Sequence, residues 1–250
     1  MINKLGLQLW TVGEHMGNAE DIRSTFKRLK EIGYDMVQTA GCSIPYADFG
    51  RIAAEEGIEI CGTHEGFDAL YNDPELAMEN HRLLNTTNIG IGYHNTTTVE
   101  IVEDFIEKAN KFANIIYPHG FKFTYHNHND EFTRLENGKT AMEMLAEGLD
   151  PEKTSFVLDT YWVQYGGGDV RYWIEKLAGR IDILHLKDMG TAEEKPFITE
   201  IGNGNLWWDG IIETAVRTGV KYFVVEQDTC PGDPFESIKQ SADYLKKYMK

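Results

Sequence analysis

The sequence predicts a single-domain α/β protein, a (β/α)8 TIM barrel spanning residues 1–250. Short apolar runs of β type alternate with amphipathic helical stretches from end to end, the pattern of a parallel sheet with helical crossovers. Eight such units can be counted, and 250 residues is the usual length of an eight-fold barrel. The last four apolar runs each end in residues able to ligate a metal. Functional groups in such barrels gather at the carboxyl ends of the strands.

The expected strands are Leu5–Trp10, Met36–Thr39, Glu59–Thr63, Ile89–Tyr93, Phe121–His126, Ser155–Asp159, Ile181–Leu186 and Tyr222–Glu226. Each is a short apolar run of the kind that buried parallel strands show. Helices are expected between them. In Asp21–Glu31, Ile22, Phe26 and Leu29 share one face and Gly33 is the stop. In Thr98–Ile116 the apolar stripe runs from Ile101 to Ala113, and the last helix is Phe235–Tyr248. Gly33, Gly57, Gly120, Gly148, Gly179 and Gly219 fall near helix ends, where a left-handed cap suits glycine. An open doubly wound sheet uses the same alternation, because closure leaves no mark on periodicity. Nothing in the composition argues for a second domain. The longest irregular stretch, Met189–Asn205, reads as a loop at the barrel mouth.

With 42% hydrophobic and 26% charged residues, the chain has the composition of a soluble globular protein. A formal charge of −16 argues against nucleic acid, whose phosphates need clustered Lys and Arg. No apolar stretch is long enough for a membrane span, and Met1–Trp10 is a poor signal peptide. Cys42, Cys61 and Cys230 are odd in number and lack CxxC spacing, as expected of reduced thiols in a cytoplasmic protein.

The strand ends carry the chemistry. Phe121–Tyr125 leads into His126, Asn127, His128, Asn129, Asp130 and Glu131; the next three runs end on Asp159, His185 and Glu226. Singly, each has an ordinary reading, a helix cap for the acids and a hydrogen-bonded rim residue for the histidine. Four in succession on neighbouring strands point to one divalent-metal site. Mixed carboxylate and imidazole donors suit Mn2+, Zn2+, Co2+, Fe2+ or Mg2+, and the lack of thiolates argues against a structural zinc knot.

The segments Tyr125–Phe132 (YHNHNDEF), Leu158–Val163 (LDTYWV), His185–Asp188 (HLKD) and Val225–Gln227 (VEQ) resemble the xylose-isomerase-like TIM-barrel family over nearly the whole chain. Sugar-phosphate isomerases and epimerases, ketose 3-epimerases and inosose dehydratases are among its members. The resemblance implies a Glu–Asp–His–Glu site for Mn2+ or a related ion. Asp159, His185 and Glu226 match position by position. Many relatives have Glu at the end of the fifth strand, where this chain has His126. The expected fourth metal ligand is therefore Glu131, five residues on, with His126 and His128 as alternatives.

The activity implied is a metal-dependent isomerase or epimerase of a sugar, sugar phosphate or keto-sugar, abstracting a proton next to a metal-polarised carbonyl. Glu131, Glu226 and His128 are its expected catalytic groups. His64, His126, Trp162 and Lys187 are expected to bind substrate, with Glu65, His94, Trp10, Tyr161 and Phe67 also near the mouth. Inosose-dehydratase-type or keto-glycoside lyase chemistry uses the same plan. From other classes, an endonuclease-IV-like phosphodiesterase and a non-catalytic sugar-binding barrel are the alternatives. The expected partner is a small carbohydrate, with no nucleic acid or membrane. Aromatics on barrel loops are compatible with a homodimer. Gly202–Asn205 lacks both the P-loop and the Rossmann spacing and reads as loop geometry.

Overall fold

A computed structural model describes residues 1–250. The eight barrel strands are β1 (Leu5–Gln8), β2 (Met36–Ala40), β3 (Glu59–His64), β4 (Asn88–Ile91), β5 (Lys122–His126), β6 (Thr154–Asp159), β7 (Ile181–Leu186) and β10 (Tyr222–Val225). All pairings among them are parallel, in the order β3-β2-β1-β10-β7-β6-β5-β4. The two ends of this order meet. Glu65 N–H donates to Gly90 O (2.9 Å), and the Asn88 side chain donates to Cys61 O (2.8 Å). The barrel is thus nearly closed. Gly90 permits the approach, since a Cβ there would lie 2.3 Å from Thr63 O.

The helices are α1 (Ala19–Ile32), α2 (Tyr46–Glu55), α3 (Phe67–Asn72), α4 (Pro74–Leu83), α5 (Val99–Ile116), α6 (Ala141–Gly148), α7 (Thr160–Tyr165), α8 (Val170–Lys176), α9 (Trp208–Thr218) and α10 (Pro234–Leu245). Their starts follow the sequence. Asn18, Thr98, Thr140, Asp159 and Asp169 each accept backbone N–H groups as N-caps. α1 ends at Gly33, whose φ of +115° lets its N–H reach Leu29 O. Gly148, by contrast, ends α6 without a left-handed φ.

Three expected elements differ. The first strand stops at Gln8, and Leu9–His15 turns as a 3-10 segment that leaves Trp10 exposed. The fourth stops at Ile91, short of Tyr93. The stretch Met189–Asn205 is not all loop: β8 (Asp188–Ala192) and β9 (Lys195–Thr199) form an antiparallel hairpin. Its two-residue turn, Glu193-Glu194, is left-handed at both positions (φ 50° and 63°). Turns of that type favour Asn-Gly, so two glutamates carry no turn signal.

Alternation along the strands builds the interior in layers. Met36, Cys61, Val157, Ile183 and Val224 pack as a separate apolar cluster. Two residues further along β2, β6 and β7, and from Val224 off the end of β10, stand Gln38, Asp159, His185 and Glu226, all buried. A period of two returns each to the same face as the apolar residue beneath it. By the same rule Gln8 follows Gly6 and His126 follows Thr124. The site is therefore a polar layer resting on an apolar floor. The large remaining core of 59 buried residues packs between barrel and helices.

Candidate metal and active site

His126 Nε2, Asp159 Oδ2, His185 Nδ1 and Glu226 Oε2 converge, lying within 4.8 Å of one another. Separations are 3.5 Å for His126–Asp159, 3.6 Å for His185–Asp159 and 2.9 Å for His185–Glu226. Donors about 2.1 Å from a common ion stand roughly 3.0–3.5 Å apart in octahedral or tetrahedral geometry. All four atoms are buried and none makes an aligned hydrogen bond, their near neighbours being one another and Lys187 Nζ. Orphaned polar atoms are costly, and a cation would satisfy all four at once. The residues present fit a divalent metal.

The local structure aims each donor. His126 Nδ1 is 3.0 Å from Gly92 O, which can only accept, so Nδ1 carries the proton and Nε2 keeps its lone pair. Asp159 divides its carboxylate: Oδ1 caps α7 through Trp162 N–H (2.9 Å), leaving Oδ2 for the site. Thus the helix-cap reading and the site reading of Asp159 both hold, one oxygen each. His185 Nε2 lies 2.5 Å from Gln38 Oε1, which turns Nδ1 toward Asp159 and Glu226. Those carboxylates raise the His185 pKa against the opposing effect of its burial.

Lys187 enters from the same side. Its Nζ is 2.9 Å from Asp159 Oδ2, 2.7 Å from Glu226 Oε2 and 3.0 Å from Asp228 Oδ1. Burial opposes the ammonium charge, but the three carboxylates outweigh it and hold the Lys187 pKa far above that of a free lysine. Burial likewise works against the charged forms of Asp159 and Glu226. The ammonium, with the neighbouring histidines, overcomes it and keeps both carboxyls well below the usual range. Lys187 is a fixed cation and not a nucleophile.

Glu131 does not join this group. It is buried, with Oε1 accepting from Tyr125 OH (2.6 Å) and Oε2 from His128 N–H (2.8 Å). Both oxygens are spent bracing the loop after β5, and His126 stands where the fourth donor was expected. Four residues separate Glu131 from the end of the strand, so the alternation that aims His126 does not reach it.

The family described as xylose isomerase-like TIM barrel matches residues 26–248. The chain belongs to this family. An inosose dehydratase from Mesomycoplasma hyopneumoniae (strain J) is 28% identical over 167 residues, 58% of this chain and 53% of that relative. One from Geobacillus thermodenitrificans is 26% identical over 160 residues, 57% of this chain and 53% of its own length. The chain thus spans about half the length of the curated relatives it matches. Among solved structures, a sugar phosphate isomerase/epimerase from Parabacteroides distasonis superposes with a TM-score of 0.83 at 23% identity, covering 98% of this chain and 94% of that one. An L-ribulose 3-epimerase gives 0.74 at 12% identity, covering 98% and 93%. Likenesses at these identities establish the fold.

On this xylose isomerase-like frame, a cavity of about 840 Å³ opens over the four donors. His64, Glu65, Tyr93, His126, His128, Lys187 and Glu226 are among its lining residues. Glu65 Oε1, His64 Nε2 and His128 Nδ1 are buried and unpartnered. Burial pushes the Glu65 carboxyl above its ordinary range, and burial together with the neighbouring His126 lowers His128 to about 3. Trp162 packs beside His128 (ring centroids 5.4 Å apart) and under Lys187 Nζ (5.2 Å). His94 lies apart, packed on Phe105 (4.1 Å) with Phe67 nearby.

Sequence reasoning missed three residues. Gln8 Oε1 accepts Trp10 N–H (3.2 Å), so its amide nitrogen faces Gln38 Oε1 (3.1 Å) and His64 Nδ1 (3.2 Å). His64 therefore presents Nε2–H to the cavity. Strand alternation places Gln8 and Gln38 in the polar layer, and that signal could have found them. Asp188 accepts Met189, Gly202, Gly204 and Leu206 N–H and Trp208 Nε1–H at 2.7–3.2 Å. It folds the Gly202–Asn205 loop around itself; a Cβ at Gly204 would lie 2.3 Å from Asp188 Oδ1.

Proposed function

We propose that this chain is a divalent-metal-dependent enzyme that moves a proton next to a carbonyl of a sugar, keto-sugar or cyclitol, as an isomerase or epimerase. The observation that carries the reading is the set of four buried donor atoms that converge from four neighbouring strand ends. His126, Asp159, His185 and Glu226 would hold the ion, with Mn2+ proposed. Two imidazoles also suit Zn2+, Co2+ and Fe2+, and disfavour Mg2+. When bound, the ion supplies Lewis-acid polarisation of a substrate carbonyl.

The chain's own groups do the rest. Lys187 places a permanent positive charge where an oxyanion would develop. His64 Nε2–H is a free donor for a substrate oxygen. Glu65 and His128, from the ends of β3 and β5, are the proton carriers with an uncommitted atom at the cavity. Of the expected catalytic groups Glu131, Glu226 and His128, this reading keeps His128 and adds Glu65, because Glu131 is bonded elsewhere and Glu226 faces the other donors. Trp10 and Tyr93 line the cavity and offer apolar walls for a sugar face, while Trp162 stands behind His128 and Lys187. Three free cysteines support a cytoplasmic location.

A second reading, an inosose-dehydratase-type lyase, is favoured by the withdrawal of Glu131. Elimination needs one base and a leaving hydroxyl, and not a second carboxylate across the ring. Two measurements test both readings. Chelator-stripped protein should lose activity on a ketose and keto-cyclitol panel and regain it with Mn2+. Turnover in D2O should place deuterium at the carbon next to the carbonyl, with the carbon–oxygen skeleton kept for an epimerase and water lost for a lyase. Full activity in an Asp159→Ala, His185→Ala double variant would sink the metal reading.

A further inference from the structure

A second chamber adjoins the mouth. It measures about 630 Å³ and shares Trp10, Ala40, Gly41 and Asp228 with the cavity over the four donors. Its floor is apolar, made by Leu9, Val12, Met16 and Phe49, all buried. Each chamber alone lies within the range that encloses a drug-sized ligand, so a single monosaccharide leaves one of them empty. Exposed Trp10 stands at the junction, an aromatic face on which a ring bridging the chambers can stack.

Charge narrows what fits. No Lys or Arg lines the second chamber, and Glu14 and Asp228 give it acidic character. The one Lys or Arg of the main cavity, Lys187, is already shared by three carboxylates. A phosphate dianion would meet acids and no free cation, unlike sites built to bind phosphate, which present Arg, Lys or ordered backbone N–H groups.

We infer that the substrate is an unphosphorylated keto-glycoside, its ketone-bearing sugar ring held over the four donors and its uncharged, apolar aglycone seated in the chamber between the 3-10 segment Leu9–His15 and Phe49. The inference rests on the metal-dependent sugar reading above. It adds a site for the second half of the substrate and excludes sugar phosphates.

The test is binding to Mn2+-loaded full-length protein, followed by Mn2+-induced relaxation of ligand protons and by titration. The probes are methyl β-D-glucopyranoside, 4-nitrophenyl β-D-glucopyranoside and D-glucose 6-phosphate. The aryl glucoside should bind at least ten-fold tighter than the methyl glucoside, with its sugar protons relaxed more strongly than its aryl protons. Glucose 6-phosphate should bind no tighter than the methyl glucoside. Gly13→Phe and Cys230→Trp fill the chamber; a Cβ at Gly13 meets nothing within 4 Å. Both variants should erase the aryl advantage and leave methyl glucoside binding unchanged. Equal affinity for the two glucosides, an aryl advantage that survives both variants, or tighter binding of the phosphate overturns the inference while the sugar reading stands. If no divalent ion is retained, the metal-dependent sugar reading fails and the inference falls with it; if an ion is held and none of the three probes binds, the inference is overturned.

Discussion

Replacing Glu131 and His126 in turn separates two roles that lie five residues apart. Glu131 accepts one hydrogen bond from a phenol at 2.6 Å and one from a backbone N–H at 2.8 Å, in a site from which water is excluded. Hydrogen bonds to a charged partner contribute about 1.5–3 kcal/mol each. Glu131→Gln keeps one carbonyl acceptor and turns an amide N–H against the other donor. The expected loss is therefore about 2–3 kcal/mol, roughly one charged bond. Metal affinity should change by less than about ten-fold, at the low end of effects from residues behind the ligands. His126→Ala removes a donor atom itself. Its metal affinity should fall beyond that outer range, by more than about 100-fold. Its stability without metal should fall by about 1 kcal/mol or more, since the Nδ1–H bond to Gly92 O and the buried ring are lost together. Urea unfolding of stripped protein reads the first quantity and titration calorimetry with Mn2+ or Zn2+ the second. If Glu131→Gln loses metal as completely as His126→Ala does, the assignment of Glu131 as a brace is refuted.

Three further outcomes follow from buried polar groups. Asp188→Ala leaves five N–H donors without their acceptor and should cost about 3–5 kcal/mol in urea unfolding, allowing for water entering the gap. Less than about 1 kcal/mol would show that the 202–208 loop holds itself. Gln38→Leu removes the acceptor that orients His185 and should weaken metal binding about 10–100-fold while the circular dichroism spectrum is kept; unchanged affinity would contradict the orienting role. His81 is buried between Ala77 O (2.7 Å) and the Thr63 hydroxyl (2.8 Å), and burial lowers its pKa to about 4. Between pH 6.5 and 4 the unfolded chain binds more protons, so this stabilisation is complete above 6.5 and is lost as pH falls toward 4. The full loss is roughly 3 kcal/mol. His81→Gln should flatten the pH dependence of the urea midpoint over that window by this amount, and an unaltered slope would exclude His81 as the cause.

How far the sequence reached differs from residue to residue. Asp159, His185 and Glu226 were legible because each ends an apolar run, and strand period brings such ends to one mouth. Gln8 and Gln38 obey the same period, but glutamine carries no charge or metal-ligand signature and drew no notice. The β8–β9 hairpin was hidden because its turn residues, Glu193 and Glu194, adopt a conformation their chemistry does not advertise. The neighbouring glycine loop was read as geometry, and Asp188 is the residue around which it is folded.

By itself, then, the sequence determined the alternation of eight strands and their helices and the gathering of Asp159, His185 and Glu226 at neighbouring strand ends. These depend on local periodicity, which each residue carries with it. Only the tertiary structure decided that the barrel closes through Glu65 and Gly90, and that His126 rather than Glu131 faces the other three donors. It also decided that the mouth runs on into a second chamber. Those depend on which oxygen or nitrogen a neighbour has already claimed, and such claims are made between segments tens of residues apart.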